Sequence, residues 1–348
     1  LLEVRGAARL DMGRLREGRE DLLAALAGYQ ESSNPVREGR ALFTLASKLI
    51  DAGYIREAEG YLSQAGRLWR QGDSRPMLAN LHNSWALFYS CTGDQEAARS
   101  RAEQALVLAR ECGDPAAECA AMVTLAEALI AAGHSVEADH YAATAVELSE
   151  RLGMGTTLNS AIQARIGIAV ARRDRTGARN LIEDARPHAV TPVDTALLDL
   201  LDGMAALRSR AFGRSSVLLE RAEERLTAVN RHHYAARACL LRAEALLASG
   251  TSSKAENALN RMTDLIEPLG CEAFLWPAAR MTRQVLSERH RLRRLRRDTR
   301  QVLDRMAEAV PILSLVLSSD EEDRAPALRL SPFGEGLITL GEQRISNS

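Results

Sequence analysis

The chain has 348 residues, of which 46 are acidic and 45 are lysine or arginine, so its formal net charge is −1. This balance gives the whole chain no electrostatic preference for nucleic acid or for an anionic membrane surface. Aromatic residues make up only 4% of the chain, whereas strands are enriched in aromatic and β-branched residues. The composition therefore favours closely packed helices over a β-sandwich, and we predict an all-α fold.

The five cysteines are odd in number and include no Cys-x-x-Cys pair. A disulfide framework or a zinc site is therefore not expected. The longest apolar run, residues 309–317, is much shorter than the roughly 20 residues that span a bilayer. We predict a cytoplasmic protein that binds no cofactor, no metal and no membrane. Because Leu1 lies inside an apparent helix, we expect the chain to be a fragment that lacks its natural N-terminus.

The first predicted elements in chain order are two helices, residues 1–11 and 15–29. Asn34-Pro35 then begins a third helix, because asparagine caps first-turn N–H groups and proline suits the first helical position. A fourth helix packs with the third and ends before the loop at residues 72–76. Another helical pair begins after this loop. The chain therefore opens as a succession of helical pairs.

The most regular pair lies in residues 113–153. Asp114-Pro115 begins its first helix and Gly133 ends it, because glycine readily adopts the left-handed conformation of a turn. A second helix, with small residues on its inward face, runs on to Gly153. Each helix is apolar on one side, so the pair needs neighbours of the same kind to bury both faces.

The turn residue of this pair recurs along the chain at a spacing of 40 residues, with a drift of a residue or two in the later copies. A small residue lies five positions after each turn and allows the second helix to lie close to the first. We therefore predict one array of about seven repeats rather than several globular domains. The turns are at Gly13, Gly53, Gly93, Gly133, Arg173, Arg210 or Ala211, and Gly250; the small residues are Gly18, Ala58, Ala98, Ala138, Ala178, a serine at 215–216, and Ala255.

The 40-residue period, the small residue after the turn and the Trp85-Ala86 pair before it resemble tetratricopeptide repeats, which usually have about 34 residues. A longer repeat with a Gly-Asp-Pro junction, as at residues 113–115, resembles the MalT-like branch of bacterial transcriptional regulators. The resemblance covers about residues 1–270 and implies a right-handed tetratricopeptide-type α-solenoid of helix–turn–helix repeats. It leaves open a nucleotide-hydrolysing switch domain before Leu1. Such arrays serve many pathways, so the resemblance indicates the fold more specifically than the function.

The repeat pattern changes after the seventh pair. Apolar residues from Phe274 to Leu286 predict a final helix that caps the array, with Pro277 in its first turns. Seven arginines follow between Arg289 and Arg300, and leucines at helical spacing among them predict a basic amphipathic helix. Such a helix could contact DNA phosphates or a partner, but we favour a solvated connector that packs on the last repeat. The candidate contact residues are Arg289, Arg293, Arg294, Arg296, Arg297 and Arg300.

The C-terminal residues 327–348 follow an acidic run, Asp320–Asp323, that predicts a flexible linker ending at Pro326. They alternate like two or three short strands joined at glycines. The segment resembles the opening strands of the OmpR-type winged-helix domain in bacterial transcriptional activators; an irregular tail is the alternative. The chain ends at Ser348 before any recognition helix, so the resemblance implies DNA binding only through a domain missing from this chain. The matching residues are Leu328, Leu330, Phe333, Gly334, Leu337, Ile338, Leu340, Gly341 and Ile345.

No catalytic motif is present, since the sequence has no phosphate-binding glycine loop, no His-Glu-x-x-His helix and no Gly-x-Ser-x-Gly elbow. We therefore predict no enzyme activity and place recognition on the concave surface, which the first helices of the repeats line. Asn80 and Asn83 could hydrogen-bond a peptide backbone, because an amide both donates and accepts; the alternative is that they are ordinary solvated residues. The groove candidates are Arg40, Phe43, Ser47, Asn80, Asn83, Leu87, Glu127, Gln163, Arg237 and Glu244.

These patterns divide the chain into a helical repeat domain (1–288), a basic helix with an acidic linker (289–326) and the first strands of a truncated winged-helix domain (327–348). We predict the sensor or protein-interaction region of a bacterial transcriptional regulator. It would bind a protein, a peptide or a small inducer in its groove and control an attached DNA-binding domain. A homo-oligomer is compatible with this prediction. The alternative is a scaffold that assembles protein partners without a role in transcription.

Overall fold

The computed structural model describes residues 1–12, 14–72, 74–309, 328–330, 338–340 and 343–345. Within these ranges the chain forms seven helical pairs, as the repeat spacing predicts. The pairs are α1 (Leu2–Asp11) with α2 (Leu15–Glu31), α3 (Pro35–Ala52) with α4 (Ile55–Gln71), α5 (Arg75–Thr92) with α6 (Gln95–Glu111), α7 (Pro115–Ala132) with α8 (Ser135–Arg151), α9 (Gly155–Ala171) with α10 (Arg175–Ala185), α11 (Pro192–Arg208) with α12 (Phe212–Ala228), and α13 (His232–Ala248) with α14 (Ser252–Ile266).

Shorter helical elements complete the array. Three 3-10 turns cover Arg186–His188, Glu267–Leu269 and Ala273–Leu275. Three further helices are α15 (Trp276–Ala279), α16 (Arg283–Glu288) and α17 (Arg297–Ala309). The helical part of the described chain is therefore an all-α solenoid.

The turn inside each pair from the second to the seventh places one residue in the left-handed conformation, at the positions that the repeat spacing marks. Glycine adopts this conformation without a steric penalty, whereas other residues rarely do. Two arginines nevertheless occupy it. Gly13, the first of the series, lies outside the described residues. The φ angles are 91° at Gly53, 88° at Gly93, 90° at Gly133, 58° at Arg173, 59° at Arg210 and 75° at Gly250.

The small residues five positions after the turns lie between the two helices of each pair. Ala58, Ala98, Ala138 and Ala255 are fully buried. At Gly18 an added Cβ would lie only 2.6 Å from Cγ of Leu10, so nothing larger than glycine fits there. The predicted repeat register is therefore confirmed by close packing as well as by the turns.

Side-chain caps fix where several helices begin. The Asp114 carboxylate accepts hydrogen bonds from the backbone N–H groups of Ala116 and Ala117, at 3.1 and 3.0 Å. Thr191 and Asp194 form a reciprocal capping box at the start of α11. These caps satisfy first-turn N–H groups that have no partner inside the helix.

The first helices of successive pairs form the inner wall of the solenoid. The first helices α1, α3, α5, α7, α9, α11 and α13 each pack against the next one in this series, whereas successive second helices make fewer such contacts. The first helices therefore lie closer together and line the concave side, as predicted. The second helices form the convex side.

The region after the seventh pair differs from the prediction of a capping helix followed by a basic helix. The predicted capping helix is divided between α15 and α16, and the arginine-rich stretch is divided because α16 ends at Glu288 and α17 begins at Arg297. Glu244 accepts from the backbone N–H groups of Gln284 and Val285, and Glu256 accepts from that of Arg294. Side chains of α13 and α14 thus bind backbone groups that a continuous helix would pair internally.

Three short strands lie near the C-terminus: β1 (Leu328–Leu330), β2 (Ile338–Leu340) and β3 (Gln343–Ile345). They form an antiparallel sheet in the order β1-β2-β3. Leu328 pairs with Leu340, and Ile338 pairs with Ile345. The predicted acidic linker and the turns between these strands lie outside the described residues, so the winged-helix resemblance stays a prediction.

One described helix, α7, is long and apolar enough to cross a membrane by length and composition alone. It is also a core helix of the array, since 56% of its 18-residue apolar window is buried. Within the described ranges, no group of three or more histidine, cysteine or acidic side chains could hold a metal ion. All five cysteines are free thiols.

Candidate functional site

The seventh pair and the residues after it pack against the turns of the second, third and fourth pairs. His233 of α13 covers the turn at Gly53, where an added Cβ would lie 3.0 Å from its Nδ1 atom. Trp276 covers the turn at Gly93, where an added Cβ would lie 2.4 Å from its ring. We call residues 269–281 the closing segment, because it packs the end of the array against the second, third and fourth pairs.

A hydrogen bond extends the closing contact to the fourth pair. Arg280 Nη1 donates to the carbonyl oxygen of Ala131, at 2.6 Å, across 149 residues of sequence. This carbonyl lies in the last turn of α7, where carbonyl groups lack helical partners and the helix dipole favours a cation. The closing segment therefore packs against the C-terminal ends of α3, α5 and α7.

A cluster of polar side chains lies where α13 faces the first helices of the early pairs. Glu127 of α7 and Cys91 of α5 are within electrostatic range of Arg237 and Tyr234 on α13, as is Asp51 of α3. We call these five residues the channel cluster. They come from four helices, so the cluster exists only in the closed array.

Arg237 has unused hydrogen-bonding capacity in this cluster. Its guanidinium lies 5.4 Å from the centre of the Tyr234 ring, in cation–π range. Nη2 donates to the carbonyl oxygen of Phe274, at 3.1 Å. The Nε atom is buried and has no hydrogen-bond partner. A buried donor without a partner costs folding free energy. The Nε atom of Arg237 could therefore donate to an acceptor that the described chain does not supply.

Glu127 supplies the opposite charge without bonding to Arg237. Its carboxylate makes no hydrogen bond or ion pair with any described residue, and its side chain remains accessible to solvent. Burial nevertheless raises the pKa of this carboxyl, while Arg237 opposes that change. The accessible space in front of this carboxyl, between α7 and α13, is called the recess.

Two further cluster residues, Cys91 and Tyr234, are uncharged, whereas the fifth, Asp51, carries a second carboxyl group. Burial raises the pKa of the Cys91 thiol to about 12, and burial also raises the pKa of Tyr234. Both side chains are therefore neutral at physiological pH. The cluster thus combines two acidic groups, a guanidinium with a free donor, and an aromatic ring. Such a set can bind a group that carries both a donor and an acceptor, such as a peptide amide or an amino acid.

Three groove candidates on α3 are already engaged in contacts within the array. Arg40 forms an ion pair with Glu3 of α1, at 2.7 Å. Phe43 packs against Trp69 of α4, with ring centres 5.3 Å apart and ring planes tilted by 49°. Ser47 hydrogen-bonds with Ser84 of α5, at 3.1 Å. These residues join neighbouring helices.

The candidates on α5 and α9 are also largely satisfied. Asn80 donates to the carbonyl oxygen of Pro76 in its own helix, and Leu87 packs against the core of the second and third pairs. Gln163 donates to Asp194 at 3.4 Å, beside a small pocket between α9 and α11. Asn83 differs, because its Oδ1 atom is buried without a partner.

Glu244 caps the short helix α16 instead of facing a ligand. Its two carboxylate oxygens accept from the backbone N–H groups of Gln284 and Val285, at 2.9 and 2.8 Å. Burial raises the pKa of this carboxyl, and the two N–H groups counteract the rise. Of the ten groove candidates, Glu127 and Arg237 are brought together in the channel cluster.

Four of the six arginine candidates are used to attach the C-terminal elements. Arg289 pairs with Asp304 and Arg296 with Asp264, at 2.8 and 2.6 Å. Arg300 donates to the Leu292 carbonyl oxygen and Arg294 to the Ser253 hydroxyl, at 2.6 and 2.8 Å. The exposed Arg293 and Arg297 make no such contact with the described residues. A role for these six arginines in contacting DNA or a partner stays a prediction.

Sequence reasoning missed the closing contacts and therefore half of the site. Tyr234 lies three residues before Arg237 on the same helical face, which was the one local signal that linked them. Trp276, Arg280 and Cys91 gave no signal, because their contacts join residues that are far apart in sequence. The 40-residue spacing describes the contacts between neighbouring repeats. It carries no information about contacts between repeats that are far apart in the array.

No protein-family model matches the chain, and no curated protein matches it either. Solved structures do match. One is the Signal Transduction ATPase with Numerous Domains (STAND) protein PH0952 from Pyrococcus horikoshii, which has a tetratricopeptide repeat sensor; the TM-score is 0.51 and the identity 10%, over 91% of this chain and 47% of that one. Another is a Rap protein complexed with Competence and Sporulation Factor; the TM-score is 0.50 and the identity 11%, over 84% of this chain and 97% of that one. The fold is a tetratricopeptide-like solenoid.

This tetratricopeptide-like chain spans about half the length of the STAND protein and matches nearly the whole of the Rap chain. At 10% and 11% identity the similarity shows the fold alone. The predicted repeat architecture is thereby confirmed, whereas assignment to a regulator family stays a prediction. Tetratricopeptide-like arrays are typical of sensor and protein-interaction regions, and the site must supply any further detail.

Proposed function

We propose that the chain is a non-enzymatic sensor region that binds a peptide, a segment of a partner protein or a small inducer inside the closed array. The observation that carries this proposal is the channel cluster, where Arg237 and Glu127 face a shared recess and have unused hydrogen-bonding capacity. A ligand with an acceptor for Arg237 and a donor for Glu127 would satisfy both. The aromatic face of Tyr234 would contact its apolar part.

Two solved proteins with this fold support a recognition role. PH0952 is described as having a tetratricopeptide repeat sensor. The Rap protein was solved in complex with Competence and Sporulation Factor. Both therefore make sensing a reasonable use of such an array.

The proposed output is control of an attached DNA-binding domain. Its support is the resemblance of residues 327–348 to the opening strands of a winged helix, together with the repeat length typical of MalT-like regulators. Ligand binding would favour the closed array, because the channel cluster requires α13 to face α5 and α7. A ligand that binds the closed state more tightly shifts the population toward it. The attached domain would respond to that shift.

Binding can be tested with a pooled library of synthetic tetrapeptides and N-acylated amino acids. The wild-type chain is compared with Arg237→Met and Glu127→Gln by native mass spectrometry, followed by calorimetry on any retained compound. Charge-assisted hydrogen bonds contribute roughly 1.5–3 kcal/mol, so each variant should weaken binding by about 10- to 100-fold. Arg67→Met is the matched control, because Arg67 is exposed on the convex helix α4, and it should bind like wild type.

Two results would contradict the proposed site. One is that the wild-type chain retains no compound from the library. The other is that Arg237→Met and Glu127→Gln bind as tightly as Arg67→Met. The link to transcription needs a separate measurement, in which a promoter reporter in the native host responds to wild type but not to Arg237→Met. Equal reporter output with intact binding would favour the scaffold alternative.

A further inference from the structure

Two cysteines that are far apart in the sequence meet where the closing segment packs against α5. Cys91 lies in the last turns of α5, and Cys271 lies at the start of the closing segment. The Cys271 Sγ atom is 3.9 Å from the carbonyl oxygen of Cys91, although 180 residues separate them. The Cys271 sulfur thus contacts the residue that carries the other thiol.

The remaining cysteines are not placed this way. Cys119 and Cys239 are fully buried in helix packing, and the half-buried Cys112 ends α6 on the convex side. Cys91 and Cys271 are both partly accessible to solvent, and the Cys271 thiol helps to raise the pKa of Cys91, after the larger effect of burial. The contact places the two cysteines side by side, and rotation about their side-chain bonds changes the separation of the two sulfurs.

We propose that Cys91 and Cys271 form a reversible disulfide that locks the array in its closed state when a peroxide is present. The disulfide would join α5 of the third pair to the closing segment. It would lie beside Arg237 and Glu127, so oxidation would act on the same recess. The proposal stands whether or not the recess binds a ligand.

The chemistry needs one peroxide for each disulfide. The Cys271 thiolate attacks a peroxide oxygen, the O–O bond breaks, and a sulfenic acid and one molecule of water or alcohol result. The Cys91 sulfur then attacks the sulfenic sulfur, the S–S bond forms, and the hydroxyl group leaves as water with the Cys91 proton. Two thiols lose two electrons and two protons, which the peroxide takes up. Cys271 attacks first, because the high pKa of Cys91 keeps that thiol protonated until its proton passes to the leaving hydroxide in the second step.

This disulfide differs from the structural framework that the odd cysteine number argues against. In reducing compartments, disulfides are typically transient and serve as redox sensors. A bond between residues 180 positions apart closes a long loop, and it forms only where the fold has already brought the two thiols together. A disulfide between these two cysteines would therefore show that the closing segment packs against α5.

The test treats the folded wild-type chain with hydrogen peroxide and maps tryptic peptides without reduction. We expect the peptides that contain Cys91 and Cys271 to be linked, the intact mass to fall by two hydrogens, and dithiothreitol to reverse both changes. Cys271→Ser should abolish the link, whereas Cys112→Ser, the matched control, should keep it. Hydrogen exchange at residues 269–281 should slow on oxidation in wild type and not in Cys271→Ser.

The wild-type peptide map decides the proposal even if a variant fails to fold. The proposal would be overturned if peroxide treatment of the folded chain left Cys91 and Cys271 unlinked. In that case all five cysteines should still react with a thiol reagent after denaturation, which shows that none was oxidised in another way. A Cys91–Cys271 link that leaves exchange in residues 269–281 unchanged would overturn the locking role.

Discussion

Gly53, Gly93 and Gly133 occupy equivalent turns with nearly the same φ, yet their surroundings differ. An added Cβ at Gly133 meets nothing within 4 Å, whereas at Gly93 it would lie 2.4 Å from the Trp276 ring. Gly133 is needed for the turn alone. Gly93 is needed for the turn and for the approach of the closing segment.

A matched pair of substitutions separates these two roles. Gly133→Ala should cost roughly 1–2 kcal/mol, because an L residue is strained in the left-handed region. Gly93→Ala should cost a further 1–3 kcal/mol or so, because the methyl group would collide with Trp276. Urea unfolding of both variants measures the difference. Equal losses of stability would show that Trp276 does not pack on the turn.

Histidine burial makes stability depend on pH. Burial, and then the charges of Arg101 and Arg70, lower the pKa of His82 from 6.5 to about 4. The unfolded chain therefore binds more protons than the folded chain between these values, so stability falls as the pH falls from about 6.5 toward 4. Burial lowers the pKa of His233 as well, which adds a loss of the same sign.

The contribution of His82 can be isolated by substitution. His82→Gln removes its titration and should make the thermal midpoint less sensitive to pH between 7 and 5. Comparison with wild type cancels the effects of Glu127 and Glu244, whose raised pKa values act in the opposite direction. Identical pH profiles for the two proteins would contradict the buried, uncharged state of His82.

At the scale of the elements, a buried carboxylate joins α11 to its neighbours. Asp199 is fully buried and accepts from Arg186, Arg221 and Arg225, at 3.3, 2.8 and 2.6 Å. The three arginine side chains are 38–43% exposed. If the Asp199 carboxylate were removed, water could therefore replace part of the hydrogen bonding that their guanidiniums would lose. Asp199→Asn should therefore destabilise the chain by about 1–3 kcal/mol, measured by thermal unfolding.

The control for this network is an exposed ion pair on one helix. Arg179 and Glu183 pair at 2.8 Å with both side chains more than half exposed. Exposed pairs of this kind contribute little, so Glu183→Gln should change stability by no more than about 0.5 kcal/mol. A loss as large as that of Asp199→Asn would mean that burial does not set the strength of these pairs.

The small residues inside each pair make the next prediction. Ala98 and Ala138 are fully buried between paired helices. Ala98→Leu and Ala138→Leu should each cost roughly 1–3 kcal/mol, because the larger side chain forces the helices apart. Val136→Ala, at an exposed site near Ala138, should have little effect. An unchanged thermal midpoint for both leucine variants would show that the repeat register is wrong.

The elements were predictable wherever the local sequence determines them. Asp114 and Thr191 cap helices because their side chains reach their own first turns, and Gly133 marks a turn because of its own backbone freedom. The breaks after α15 and α16 were not predictable in the same way. Glu244 and Glu256 bind the backbone there from earlier helices, and no pattern within residues 283–300 contains that information.

The whole molecule depends on contacts that the repeat pattern does not encode. The packing of each pair against its neighbour can be predicted from the sequence, because the same small residues and turns recur. Closure instead depends on His233, Trp276 and Arg280 meeting Gly53, Gly93 and Ala131. Arg237 and Glu127 were identified from their places on first helices, but only closure brings them together and encloses them.

Small-angle X-ray scattering of the wild-type chain tests closure most directly. A solenoid whose seventh pair contacts its second pair should give a compact pair-distance distribution, and the measured curve should agree with the closed helical array. The distribution should be the same at low and high protein concentration. A long tail of distances, typical of an extended superhelix with its ends apart, would contradict the closed array and with it the enclosed recognition site.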